Sequence, residues 1–307
     1  MKTDNIKKEK FNKKILPLIL LMFVPLIMYF QTIFYDDVIT KPTYLQSESY
    51  NDIFSFYKSI AIYIVTVMSV LFYFLFTKRD RMELRKERLK YYIPSAVYAV
   101  FILISTIFAI YPKAAIFGTY ERYEGALILL SYLLLMACAI EVIRNETDIK
   151  YIMYAFLVTT TIVSVIGILQ YLKLDPFLLT PFKKLIGIPE TADIKATFGN
   201  MAYSTLYNPN NVGQFAALTI PVVAGLMLAI KERGWKIYAA VVLVLDFFLG
   251  IASKSSNAMA GLVIGGLVFL ILMAAHLIPR TKKWRIVLGV MFIAALLGAS
   301  AFITANF

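Results

Sequence analysis

The sequence has one cysteine and one histidine, Cys138 and His276, in 307 residues. A single cysteine excludes an intrachain disulfide. Metal centres need several histidine, cysteine or carboxylate groups to converge, so the sequence points to no metal and no cofactor. Charge is scarce as well. Only 16% of the residues are Asp, Glu, Lys or Arg while 60% are hydrophobic, whereas soluble domains are nearer a quarter charged and half apolar. What is missing is the polar surface that a water-soluble globule needs. No low-complexity tract breaks the chain, and no internal repeat supports a transporter built from inverted halves.

Long apolar runs stand in place of that surface. Windows of about 17 to 25 apolar residues, enough to cross a hydrocarbon core of roughly 30 Å, recur along the chain. They predict an all-α fold, a polytopic transmembrane helical bundle of about nine spans. The spans fall near residues 15–35, 59–77, 93–111, 125–143, 151–172, 212–230, 236–252, 257–277 and 286–306. Residues 1–14 read as a basic tail and 15–306 as one helical membrane domain. The start, MKTDNIKKEKFNKK followed by ILPLILLMFVPLIMYF, imitates a signal peptide. No small-residue cleavage site follows, so the expectation is an uncleaved signal anchor. Cys138, in LLLMACAI, is expected to face lipid or fill packing.

The net charge of +12 has to be sorted by loop in such a protein, and it calls for no nucleic-acid partner. A cytoplasmic N-terminus puts about 22 of the 31 Lys and Arg residues in inside segments, as the positive-inside rule requires. The C-terminus then lies outside. The outer basic residues become informative because topology does not explain them: Lys41, Lys58, Lys113, Arg122, Lys173, Lys183, Lys184, Lys195 and Lys254. The longest outer segment, 173–211, holds an expected short interfacial helix in LDPFLLTPFKKLIG, then a loop rich in turn residues.

Three stretches could carry chemistry. In TLYNPNNVGQ, Asn211 and Gln214 have the spacing of a helix cap and its capping-box partner, while Asn208, Pro209 and Asn210 are more polar hardware than a cap requires. A helix N-terminus at the outer face favours a phosphate group. In PKAAIFGTYERYEGALILLSYLLL, Arg122 lies among Tyr120, Tyr123, Glu121 and Glu124; either it is satisfied within an interfacial aromatic belt, or its planar fork binds phosphate while the tyrosines stack on a sugar. In ASKSSNAMAGLVIGG, small polar residues suit a tight reversal, Lys254 adds a cation, and Gly261 and Gly265 have the GxxxG spacing of close helix packing. Asp246, in VVLVLDFFLG, is an acid inside a span and so a functional candidate. Thr159, Thr160, Thr161 and Ser164 are scattered polar residues at similar depth. Glu141 and His276, near cytoplasmic span ends, are expected to snorkel or to contact headgroups.

Taken together, FGTYERYEGALILLSYLLL, ATFGN followed by STLYNPNNVGQFAALTIP, and SKSSNAMAGLVIGG resemble, in order and spacing, the O-antigen ligase and O-antigen polymerase family of membrane glycosyltransferases. The resemblance covers about residues 112–266. It implies a helical protein of a bacterial inner or plasma membrane whose site faces the periplasm or cell exterior. Its partners would be the bilayer and a polyprenyl-pyrophosphate-linked glycan, transferred to an acceptor hydroxyl without metal or nucleotide sugar. By the same resemblance Arg122, Lys195 and the turn of Asn208, Asn210 and Asn211 would hold the pyrophosphate, helped by Lys254, while Tyr120, Tyr123 and Asp246 join the substrate-binding set from the reading of the residues above. A general base would come from Glu190, Asp193 or Glu124, or from a C-terminal part beyond this sequence. The family usually has an arginine in the serine-rich turn, where this chain has Ser256, with Lys254 as the nearest cation. The family also continues into a large outer loop bearing a histidine, which a C-terminal half or a partner subunit would supply here. The alternatives are a non-catalytic binder or transporter of lipid-linked glycan, and an accessory subunit.

Overall fold

This computed structural model describes residues 11–34, 49–77, 88–119, 122–189 and 200–277. They are mostly helical, with little sheet. Contacts divide the chain into two compact units, 1–156 and 157–307, which are taken in turn.

The first unit begins with a short 3-10 turn and α1, Leu16–Met22. The sequence suggests one span over 15–35, and here the structure differs. The helix ends after Met22, a second 3-10 turn covers Val24–Leu26, and Gln31–Phe34 is a strand, β1. Pro25 explains the break: it lacks an N–H, and its ring would collide with the carbonyl of Leu21 if the helix continued. β1 pairs antiparallel with β2, Ser49–Asp52, in the register Gln31↔Asp52 to Phe34↔Ser49. Buried Asp52 then caps the next helix by accepting from Ser55 N (2.8 Å) and Phe56 N (3.1 Å). That helix is α2, Phe56–Phe76.

After it come α3, Leu89–Ile107, α4, Pro112–Phe117, and α5, Ala126–Val142. Helix α5 packs against α2 and α3. Ile15, Leu18, Val142 and Ile152 form the core at one end of this unit. Cys138 is buried, so it is packing filler rather than a lipid-facing residue. Glu141 does not snorkel: it is bonded by Arg88 and by Tyr92 (2.6 Å), with Arg144 at 4.0 Å.

α6, Glu146–Tyr171, carries the chain into the second unit. There follow α7, Thr180–Leu185, α8, Pro209–Ala229, α9, Arg233–Ala252, and α10, Ser256–Leu277. α7 is the short helix expected in the long loop. α8 packs broadly against both α9 and α10. Ala217 of α8 faces Gly261 and Gly265 of α10, and a Cβ added at Gly261 would lie 2.9 Å from that of Ala217. The GxxxG pair is therefore a packing surface between α8 and α10.

Five described helices, α2, α3, α6, α8 and α9, are long and apolar enough to cross a membrane by length and composition. α5 is a shorter apolar helix of 17 residues. Exposed side chains along α3, such as Ile93, Phe101, Ile104 and Ile107, are what a lipid-facing helix presents. The expected ninth span at 286–306 and most of the basic tail lie outside the described residues.

Candidate functional site: the polar end of the second unit

Four segments of the second unit meet at one end. The last turn of α6 contributes Gln170 and Tyr171. It closes with backbone bonds Leu174 N to Leu169 O (2.9 Å) and Lys173 N to Gln170 O (2.9 Å). Lys173 takes the left-handed φ of 63° between them, the pattern of a Schellman cap. Gln170 is buried and receives the loop at 200–208: its Oε1 accepts from Tyr203 N (3.1 Å) and Ser204 N (2.6 Å). Ser204 Oγ donates to Val163 O at 2.7 Å, and Ala202 N donates to Ala252 O at 2.9 Å. The loop is thus bonded to both α6 and α9.

Asp175 completes this support. Its Oδ1 accepts from Phe177 N (3.0 Å) and Gln170 Nε2 (3.4 Å), and its Oδ2 accepts from the Tyr203 hydroxyl. Burial, that hydrogen bond and the nearby Asp175 charge push the Tyr203 phenol above its ordinary range. The phenol therefore stays a neutral donor.

The N-terminus of α8 enters beside this loop, and its cap corrects the sequence reading. The N-cap is Asn208, not Asn211: Asn208 Oδ1 accepts from Asn210 N at 2.8 Å, with Pro209 as the first helical residue. Proline favours that position because its missing N–H is not needed there and its φ suits a helix. Asn211 instead donates through Nδ2 to Leu206 O (3.1 Å), stitching the loop to the helix, and Gln214 is exposed.

The turn after α9 brings the third motif to the same place. Ser253 Oγ donates to Gly250 O (2.7 Å), and Ser255 Oγ donates to Asn210 Oδ1 at 2.8 Å. Lys254 is exposed, donates to Asn200 Oδ1 at 2.9 Å, and holds its ammonium 5.6 Å from the centre of the Tyr171 ring. Ser204, Tyr207 and Lys254 have left-handed φ values of 46°, 73° and 51°. Non-glycine residues rarely adopt that region, and such strain gathers at functional sites.

This end can bind an anion carrying a polar, ring-shaped group. It offers a cation, side-chain amides, an aromatic face and the positive end of the α8 dipole. Asp175 is unsuited to act as a base, because both of its oxygens are engaged.

The other expected residues fall elsewhere. Asp246 lies deeper in the same unit, fully buried, where it meets Thr219 and Ser164. Arg122, Tyr123 and Glu124 belong to the first unit, in a loop that folds back between Gly118 and Gly125. A Cβ at Gly118 would lie 2.7 Å from Tyr123 Cα. Arg122 and Glu124 are exposed, whereas Tyr123 is buried with its ring centre 5.6 Å from that of Phe56. Tyr120, Glu190, Asp193 and Lys195 lie outside the described residues. Gln170, Tyr171 and Asp175 do not stand out in the sequence, and Asn200 enters it only as a turn residue of the long loop. A glutamine closing the otherwise apolar run TIVSVIGILQY was the one signal that could have flagged them.

The chain matches no family model, no curated protein and no solved structure, so the chemistry of this polar end is the ground on which its function must be argued.

Proposed function

We propose that the protein is an O-antigen ligase- or polymerase-like membrane protein. It binds a polyprenyl-pyrophosphate-linked glycan at the outer leaflet of a bacterial inner or plasma membrane and transfers the glycan to an acceptor hydroxyl. The observation that supports this most is the bond from Ser255 to Asn210, with Lys254 beside it. It joins two of the three stretches on which the resemblance rests, although they are distant in sequence.

In the reaction, the acceptor oxygen forms a bond to the anomeric carbon as the bond from that carbon to the pyrophosphate oxygen breaks. The acceptor proton passes to a base, for which Glu190, Asp193 and Glu124 remain the proposals. The departing pyrophosphate gains negative charge, and fixed donors aimed at such charge are the largest contribution a site of this kind makes. Lys254, the amides of Asn200 and Asn210, and the N-terminus of α8 are the groups proposed for that role. Tyr171 offers a face to a sugar ring. Arg122 and Lys195 stay as pyrophosphate-binding proposals carried by the resemblance alone, and alanine variants test each. A non-catalytic binder or transporter is the second reading, favoured by the buried hydroxyls near Asp246.

The test is direct. Purified protein in lipid nanodiscs should bind undecaprenyl pyrophosphate more tightly than undecaprenol. Lys254→Ala should weaken that binding by about tenfold or more, since a charge-assisted hydrogen bond is worth roughly 1.5–3 kcal/mol. Equal binding of both lipids, indifferent to Lys254→Ala, would sink the proposal. Formation of a glycan-acceptor product separates the enzyme from the binder or transporter.

A further inference from the structure

We propose that Asp246 is a positioning residue: it sets the axial register of α8 against α9, and so assembles the polar end of the second unit. The role stands on geometry. Only its binding readout rests on the pyrophosphate reading given above.

Asp246 projects from α9 and is fully buried. Two other helices meet its carboxyl: Ser164 Oγ of α6 lies 3.5 Å from Oδ1, and the Thr219 hydroxyl of α8 bonds Oδ2. Thr219 Oγ1 is also 2.8 Å from Phe215 O, which pins that hydroxyl to the α8 backbone. The neighbouring buried positions on α8 and α9, Ala216, Val223, Val242 and Leu249, are apolar, whereas α6 also carries the buried hydroxyls of Thr159 and Thr160. A slide of α8 against α9 by one turn would take the carboxyl away from the Thr219 hydroxyl and lay it against hydrocarbon, since Phe215, Ala216, Val222 and Val223 are the α8 residues one turn to either side.

Apolar contacts cannot fix this register alone, because lipid tails compete with them on equal terms. The polar contact supplies the discrimination. Gly167 of α6 faces Leu249 of α9, whose side-chain end occupies the space a Cβ there would take.

About two helical turns outward from Asp246 and its partners lie Tyr171 on α6, Asn210 on α8, and Lys254 and Ser255 after α9. These are the residues joined at the polar end. A slip of one turn moves a residue by about 5.4 Å, which would separate Ser255 from Asn210.

A role in simple cohesion is the competing account, and it predicts something different. Replacing a buried polar group by a well-packed apolar residue is often neutral or stabilising. A leucine at 246 should therefore leave the bundle folded but poorly registered. Asparagine keeps the shape and hydrogen-bonding atoms and should preserve the register.

The experiment uses the full chain with Cys138→Ala and the pair Asn210→Cys with Ser255→Cys, treated with a short bis-thiol reagent. Cross-linking should proceed alike in this background and with Asp246→Asn added, and about tenfold slower with Asp246→Leu, matching the loss of interhelical hydrogen bonds. Thermal unfolding of the Leu variant should be no earlier than that of the parent. With residues 210 and 255 restored, undecaprenyl pyrophosphate in nanodiscs should bind normally to Asp246→Asn and about tenfold more weakly to Asp246→Leu. Equal cross-linking in the Leu and Asn variants overturns the proposal, and so does a Leu variant that fails to fold. Slowed cross-linking in a protein that never binds undecaprenyl pyrophosphate supports the positioning role and rejects the glycan-carrier reading.

Discussion

Lys254 sits at φ 51°, a conformation that costs an L-residue roughly 1–2 kcal/mol and a glycine almost nothing. A turn needing only that shape would be better served by glycine, so the lysine side chain is what the position retains. Its ammonium reaches Asn200 and the Tyr171 ring. Lys254→Gly should therefore separate the two effects. The unfolding temperature of the variant, followed by thermal melting in detergent or nanodiscs, should equal or exceed that of the parent. Its binding of undecaprenyl pyrophosphate should fall by about tenfold or more. A variant that binds as well as the parent would remove Lys254 from the site. Lys254 and the asparagines at 208, 210 and 211 were legible in the sequence because polar residues stand out in an apolar chain. The sequence alone does not name the asparagine that caps α8: its apolar run begins at Val212, yet Pro209 already sets the first turn. Gln170 was illegible because the N–H groups it serves, on Tyr203 and Ser204, lie some thirty residues away in the chain.

Elements were readable where a single physical rule decides them. Apolar length marked α2, α3, α6, α8 and α9, and apolar anchors alternating with Lys183 and Lys184 marked the short α7. α1 was misjudged because apolar composition counted for more than Pro25, which ends a helix however apolar its neighbours are. Register between helices is a different matter. It depends on which small or polar residue meets which partner, and sequence spacing alone does not name the partner. Gly261 illustrates this: GxxxG indicated close packing, and only the structure identifies Ala217 of α8 as the residue packed against it. Gly261→Leu should drive α10 away from α8. The expected loss is about 1–3 kcal/mol, the usual cost of overpacking, measured as a lowered unfolding temperature. Gly234→Leu, where an added Cβ meets nothing within 4 Å, should be far milder. Comparable losses at both positions would mean that the α8–α10 contact carries no special weight.

At the scale of the whole molecule, the two ends of the second unit differ in chemistry. One carries Lys254 with the amides and the Tyr171 ring. The other, at the connection from α8 to α9, carries Lys231, Glu232, Arg233 and Lys236. Short loops rich in Lys and Arg stay in the cytoplasm, so the second end is expected inside and the polar end outside, where a lipid-linked glycan would be met. The orientation can be read with single cysteines in the Cys138→Ala background. Gly234→Cys has open space for a side chain, and Ser256→Cys lies at the exposed start of α10. A membrane-impermeant maleimide added to intact cells should label position 256 at once and position 234 only after permeabilisation. Labelling of both in intact cells would show that α9 does not span. The reverse pattern would place Lys254, Asn210 and Tyr171 in the cytoplasm and rule out a site at the outer leaflet, leaving the polar end an anion site of some other kind.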